Sequence, residues 1–373
     1  MKKIYICFTS FFFAALTIFT LLTVFIPDRS YSETENRELK GKPTLNFTTL
    51  ANGEFQLALG DYLSDQFPLR DTMIKLNTFL NKLAGSKNLN GAYVGKNGYY
   101  FEVKTNDSIN YERHEYNLSS INKFEEKYPN VNVNTLLVPT SSYINKDLLP
   151  QGAEIYDGDA LFKIATETLN DGIFIDIREA FLANKNEYLY YKTDHHWTSL
   201  GAYIAYEEFC KANGITPVSY KAFGFEDVSE EFLGTLHSKN LDADATFDIV
   251  SVAKNIADCS VFANDSPIEI YDYEKLSKKD KYLVFFGNNY AKTVIETDCK
   301  NGKTLLVVKD SFANSFVPLL TKHYERIVMI DQRYYSQKRF SPLMEEYSVT
   351  DVLFMYEITN ISIQEDLPTA CKN

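Results

Sequence analysis

Lys303-Thr304-Leu305-Leu306-Val307-Val308-Lys309-Asp310-Ser311-Phe312 places four consecutive apolar residues between polar ends. An unbroken apolar run of this length, rather than an alternating one, is what a strand covered on both faces requires. The run stops at an Asp-Ser pair, so the stretch reads as a buried strand running into a turn, with Ser311 where a helix begins. The pattern around it repeats the theme. Tyr116 to Tyr128 predicts a helix, Val131 to Val138 a strand, Ala160 to Leu169 a helix and Gly172 to Ile177 a strand. Thr198 or Ser199 caps a helix running to about Ala212, with Gly214 past its end. Arg326 to Ile330 and Val352 to Tyr356 are two further apolar strands. Strands alternating with helices specify an α/β domain, a largely parallel sheet with helices on both faces. Sites in such sheets collect at the carboxyl ends of strands, where Ser311 falls. Between about 218 and 297 the pattern changes to Gly, Asp, Ser and short alternating runs, which predicts a β-rich insertion.

A second stretch carries candidate chemistry: Tyr190-Tyr191-Lys192-Thr193-Asp194-His195-His196-Trp197-Thr198 holds two of the five histidines and the only tryptophan. In an extended segment Asp194 and His196 point to one side and His195 to the other. A carboxylate beside an imidazole fixes its tautomer and stabilises its protonated form, as a general base needs. Ser311, exposed at a strand-to-helix junction near free backbone N–H groups, is the matching nucleophile. A helix N-cap is the plainer role for such a serine. Ser315 competes with it but lies a turn into the helix. A metal site from Asp194, His195 and His196 is disfavoured, because adjacent strand residues face opposite ways and other ligands are wanting; no metal and no cofactor is expected. His195 and Trp197 are assigned to packing around the site.

The run Asp194-His195-His196-Trp197 with Thr198, Gly201 and Ala202, followed by Lys309-Asp310-Ser311, resembles the DHHW proteins, relatives of the SGNH-hydrolase-like alginate O-acetylation proteins. The resemblance covers most of the chain after the first segment. It implies an SGNH-like fold and a Ser311–His196–Asp194 triad. The serine comes last, a circularly permuted order that geometry tolerates. Lys309 stands where a Gly-Asp-Ser pattern has glycine, a departure at the turn. SGNH enzymes add oxyanion donors from later strand ends, which makes Arg333 and Asn360 candidates, with Asn288 a third. The implied activity is O-acetyl transfer to a cell-surface or exported polysaccharide through an acetyl-serine. An integral-membrane acyltransferase is the implied acetyl supplier. The rivals are a carbohydrate acetylesterase with the same triad, and a non-catalytic glycan-binding or scaffold protein.

The 373 residues are 45% hydrophobic, enough for a substantial core, and the net charge of −12 argues against nucleic acid as a partner. Ile4 to Ile26 is free of charge, and at about 1.5 Å per residue it spans a hydrocarbon layer of roughly 30 Å. Lys2 and Lys3 precede it, which places the N-terminus in the cytoplasm and the rest outside. The reading is a single-pass anchor over residues 1–27; a cleaved signal peptide is its rival. Residues 28–90 are then a membrane-proximal linker and helix, the latter from Leu69 to Leu83, and 91–373 the catalytic domain. The polar part to about Lys42 reads as a solvated linker. Of five cysteines, Cys259 and Cys299 form a conceivable disulfide, and no spacing suggests a metal.

Overall fold

The computed structural model describes residues 2–336 and 339–372. The chain forms two compact units, residues 1–90 with 238–244, and residues 91–237 with 245–373.

In the first unit, Lys2–Phe25 is one apolar helix, which fits a single-pass membrane anchor or a signal segment. The polar stretch after it is folded, contrary to a solvated linker. Tyr31–Ser32 pairs with Arg37–Glu38. The Arg37 guanidinium takes both oxygens of the buried Asp65, at 2.5 and 2.9 Å. Glu35 bridges Arg37 and Arg70 at 2.8 and 2.7 Å. The Arg37 hydrogen bonds hold the Asp65 carboxyl down at about 2. The predicted helix is Arg70–Leu83, preceded by Glu54–Asp65. On its inner side Thr78 donates to Asn240 O at 2.5 Å, and Lys82 pairs with Asp242 at 2.8 Å.

The second unit is the α/β domain. Its sheet strands, in chain order, are β1 (Asn132–Val138), β2 (Phe174–Ile175), β3 (Cys259–Ala263), β4 (Ser266–Ile268), β5 (Lys292–Thr297), β6 (Thr304–Lys309), β7 (Arg326–Ile330) and β8 (Asp351–Glu357). Their spatial order is β4-β3-β5-β7-β6-β8-β1-β2. From β7 to β2 neighbours are parallel. The β7–β5–β3–β4 edge is antiparallel. The stretch 218–297 is β-rich, but it does not stand apart as an insertion: β3, β4 and β5 extend the main sheet. Phe225–Phe232 and Asp248–Ala253 pair separately.

Central strand β6 is buried throughout. Its alternation assigns each residue to a face. Leu305 and Val307 join a core with Trp197, Phe209 and Phe316; Leu306 and Val308 join one with Phe124, Phe162 and Phe354. The first core is covered by helices Ser199–Ala212 and Ala313–Leu320, the second by Tyr111–Lys127 and Gly158–Thr168. This is the doubly covered sheet that continuous apolar strands require. All five cysteines are free, so Cys259 and Cys299 form no disulfide.

Candidate active site

The segment 190–198 is a tight loop rather than an extended strand. Tyr191 N donates to His196 O at 3.2 Å and Thr198 N to Leu189 O at 2.9 Å, closing the loop with Asp194 near its tip. Asp248 anchors it, accepting from Lys192 N and Thr193 N at 2.7 and 2.8 Å and from the Thr193 hydroxyl at 2.6 Å. Thr198 caps the following helix. Gly201 lets that helix approach the loop, since a Cβ there would sit 2.5 Å from Leu189 O.

The loop delivers Asp194, His196 and Trp197 to the carboxyl end of β6. His196 Nδ1 lies 2.6 Å from Asp194 Oδ1, and His196 Nε2 lies 2.7 Å from Ser311 Oγ. Trp197 Nε1 donates to Phe312 O at 3.0 Å and to Ser315 Oγ at 2.9 Å, tying the histidine loop to the serine turn. Ser311 is not a helix cap. Helix Ala313–Leu320 begins after Phe312, with no side-chain cap, and the Ser311 hydroxyl faces the imidazole. Among the described residues its backbone N–H has no hydrogen-bond partner.

Four donors converge on Asp194. Oδ1 takes His196 Nδ1–H and, at 3.0 Å, His196 N; Oδ2 takes Thr235 N at 2.7 Å and the Thr235 hydroxyl at 2.8 Å. Burial alone would push this carboxyl up, but His195, His196 and the hydrogen bonds hold it well below the usual range. An ionised Asp194 accepting from Nδ1 leaves His196 Nε2 as the acceptor of the Ser311 proton. The imidazole is clamped by the Tyr282 ring, stacked with centroids 3.9 Å apart, and by Phe312 at 5.0 Å. The Tyr282 hydroxyl donates to Ser311 O at 3.0 Å.

His195 departs from expectation. Because the segment is a loop, its ring lies beside that of His196, 3.9 Å between centroids, rather than on the opposite side. Its Nδ1 meets Thr235 Oγ1 at 2.7 Å. The threonine spends its one proton on Asp194, so His195 is the donor. Burial and the neighbouring His196 push the His195 pKa down. Asp194, His195 and His196 do cluster closely enough to ligate a metal, their ligand atoms within 4.8 Å. Those atoms are engaged with Thr235, Ser311 and each other, so the donor set fits a proton relay better than a ligand shell. Beside His195 a polar recess of about 20 Å³, lined by Lys104, Ser142 and Glu357 among others, has room for one water.

The remaining expectations fare differently. Asn360 Nδ2 donates to Asp310 Oδ2 at 2.8 Å, and Glu357 N donates to the same oxygen at 2.8 Å. Asn360 thus steadies the residue before Ser311. Arg333 makes a bidentate pair with buried Asp331, at 2.8 and 2.6 Å. The Asn288 side chain is turned onto its own neighbour, accepting from Asn289 N at 2.8 Å. None of these three amide or guanidinium groups is committed to the Ser311 hydroxyl. Lys309, in the departure from glycine, is buried with Nζ 2.8 Å from Asn314 Oδ1 and 3.5 Å from Asp331; burial pushes its pKa down. Gly234, Thr235 and Tyr282 were not singled out from sequence. Gly234 packs so tightly on Asp194 that a Cβ would lie 2.3 Å from Asp194 Cβ and 2.4 Å from Oδ2.

The resemblance to the DHHW family is borne out. The family model described as DHHW protein matches residues 161–330, which hold both motifs. A DHHW family protein from Eubacterium siraeum superposes with a TM-score of 0.64 at 25% identity, over 76% of this chain and 95% of that one. Bacillus cereus PatB1, in a form with a sulfonyl adduct, superposes at 0.62 with 21% identity, over 74% and 97%. The O-acetyltransferase domain of Pseudomonas putida AlgJ aligns more loosely, at 0.47 with 12% identity, over 74% and 93%. No curated protein matches the sequence.

Proposed function

We propose that this protein is an O-acetyltransferase that modifies a cell-surface or exported polysaccharide through an acetyl-Ser311 intermediate. The observation that carries the reading is the unbroken hydrogen-bonded chain from Asp194 through His196 to Ser311. Ser311 Oγ attacks the acetyl carbonyl of the donor while its proton passes to His196 Nε2. Asp194 stays ionised and stabilises the imidazolium. In this reading the Ser311 N–H, two residues past the end of β6, donates to the oxyanion. Collapse of that intermediate expels the donor oxygen, which takes the proton from His196, and leaves acetyl on Ser311. A sugar hydroxyl then gives its proton to His196 and attacks the acetyl-serine, and the serine leaves with that proton.

The acetyl group and the glycan come from the family resemblance, supported by the likeness to a DHHW protein over most of both chains. An esterase would follow the same first half with water in the second. The recess beside His195 has room for one water and is too small for a sugar ring. The experiment is acetyl transfer from an activated ester with and without oligosaccharide acceptors, for wild type and Ser311→Ala. Acetylated sugar from wild type alone supports the transferase; free acetate alone, with acceptors present, supports the esterase. Equal ester turnover by both proteins leaves the binding or scaffold reading. A sulfonyl reagent, of the class that forms the PatB1 adduct, should label Ser311.

A further inference from the structure

Helix Arg70–Leu83 is turned outward. Leu69, Thr72, Met73, Leu76, Phe79, Leu80 and Leu83 fall within one stripe at helical spacing; of its large apolar residues Leu69, Leu76, Phe79, Leu80 and Leu83 are exposed and Met73 is partly covered. Thr78 and Lys82, on the other side, make the contacts to residues 238–244. The helix therefore buries its polar side and leaves its apolar side open. Leu57, Leu63 and Phe67 of the preceding helix and turn are exposed as well, as are Phe47 and Leu50. A soluble surface rarely shows so extended an apolar patch.

The same unit says what covers it. Phe67, in the turn joining the two helices, stacks on Phe19 of the N-terminal helix, with centroids 5.2 Å apart. The Gln66 side-chain amide accepts from Arg29 N and donates to Arg29 O, at 2.9 Å each. Phe19 lies six residues before the helix ends at Phe25, a depth of roughly 9 Å at 1.5 Å per residue. Amphipathic helices lying in a membrane surface bury their apolar face about 5–10 Å deep. Arg70, Lys75, Lys82 and Lys87 balance Glu54, Asp61, Asp65 and Asp71, so residues 45–87 are neutral overall in a protein of net charge −12, and their apolar area rather than their charge is what favours lipid.

We infer that the 45–83 segment is an in-plane membrane collar. Its apolar stripe, centred on Leu76 and Leu80, lies in the outer lipid leaflet around the N-terminal helix. The inference rests on that helix spanning the bilayer. The test uses the full chain in phosphatidylcholine–phosphatidylglycerol vesicles with and without brominated phosphatidylcholine. The native Trp197 is fully buried and serves as a constant background. Leu76→Trp and Leu80→Trp should add blue-shifted emission that the brominated lipid quenches, approaching the loss at Phe13→Trp within the span. Glu126→Trp, an exposed position of the other unit, should stay unquenched. Unquenched, water-like emission at 76 and 80 with Phe13→Trp quenched overturns the collar alone. Blue-shifted but unquenched emission there means protein covers the stripe, which also overturns it. An unquenched Phe13→Trp removes the spanning helix and the collar with it.

Discussion

Gly234→Ala tests whether activity depends on how Asp194 is held. The added Cβ would lie 2.3 Å from Asp194 Cβ and 2.4 Å from Oδ2, against 3.4 Å for ordinary contact. Something must move by about 1 Å. Both atoms belong to Asp194: its Cβ is one bond from the backbone, and its Oδ2 is held by the two Thr235 donors, so neither yields freely. If Asp194 moves, the 2.6 Å bond to His196 Nδ1 stretches toward 3.6 Å and is lost. If the 234 loop moves, the two Thr235 donors leave Oδ2. A displacement of about 1 Å in a catalytic arrangement costs on the order of 10²-fold, and losing the aspartate outright about 10⁴-fold. The expected loss in kcat for an activated acetyl ester lies between those values, with about 1–3 kcal/mol of stability lost to overpacking. Gly60→Ala, where nothing stands within 4 Å, is the control and should match wild type. A folded Gly234→Ala protein, by circular dichroism and thermal melt, that keeps activity within about threefold would refute the reasoning.

Two further outcomes follow from the same contacts. Ser315→Ala removes one of the two acceptors of Trp197 Nε1–H, leaving Phe312 O, and a partner of the Tyr282 hydroxyl. It should cost about 1–2 kcal/mol in a denaturant melt while changing ester turnover only a few-fold; abolished turnover with normal stability would make Ser315 the nucleophile instead. His114 is fully buried against Leu161 O, and burial lowers its pKa to about 4. The unfolded chain therefore binds a proton that the folded one refuses between about pH 6.5 and 4. Stability is full above that window and falls as the pH drops through it, by up to about 3 kcal/mol. Melts of His114→Gln across pH 4–7 should lose this part of the slope, and an unchanged slope would contradict it.

Much of the sheet was readable because its central strands are buried on both faces. Leu305 to Val308, Arg326 to Ile330 and Val352 to Tyr356 are continuous apolar runs, and these became β6, β7 and β8. Thr198 signals its helix through a cap that is chemically local. The antiparallel edge was harder: β3 is a short, half-exposed strand, β5 is mostly buried but lies in a polar stretch, and nothing local says which sheet they join. At the candidate site, the meeting of Asp194, His196 and Ser311 was expected from two motifs, but the path was not. The expected strand is a loop held by Asp248, which is why His195 lies beside His196. Gly234 and Thr235 approach Asp194 from 40 and 41 residues downstream, and Tyr282 approaches His196 from 86. No periodicity encodes such contacts. Arg333 and Asn360 sit at the strand ends where they were sought, and Arg333 Nε and Nη2 donate to Asp331 while Asn360 Nδ2 donates to Asp310. Nearby carboxylates claim such groups first, and the sequence does not show which carboxylates face them.

The most direct test of the central claim is to trap the acyl-enzyme. Full-length protein is mixed with an activated acetyl ester, quenched in acid, digested and mapped by mass spectrometry. The account predicts one added acetyl group on Ser311 of wild type, none in His196→Gln, and transfer of that acetyl to an acceptor glycan added before the quench. Acetyl on another residue, or an unlabelled Ser311 in a protein that still turns over the ester, would contradict it.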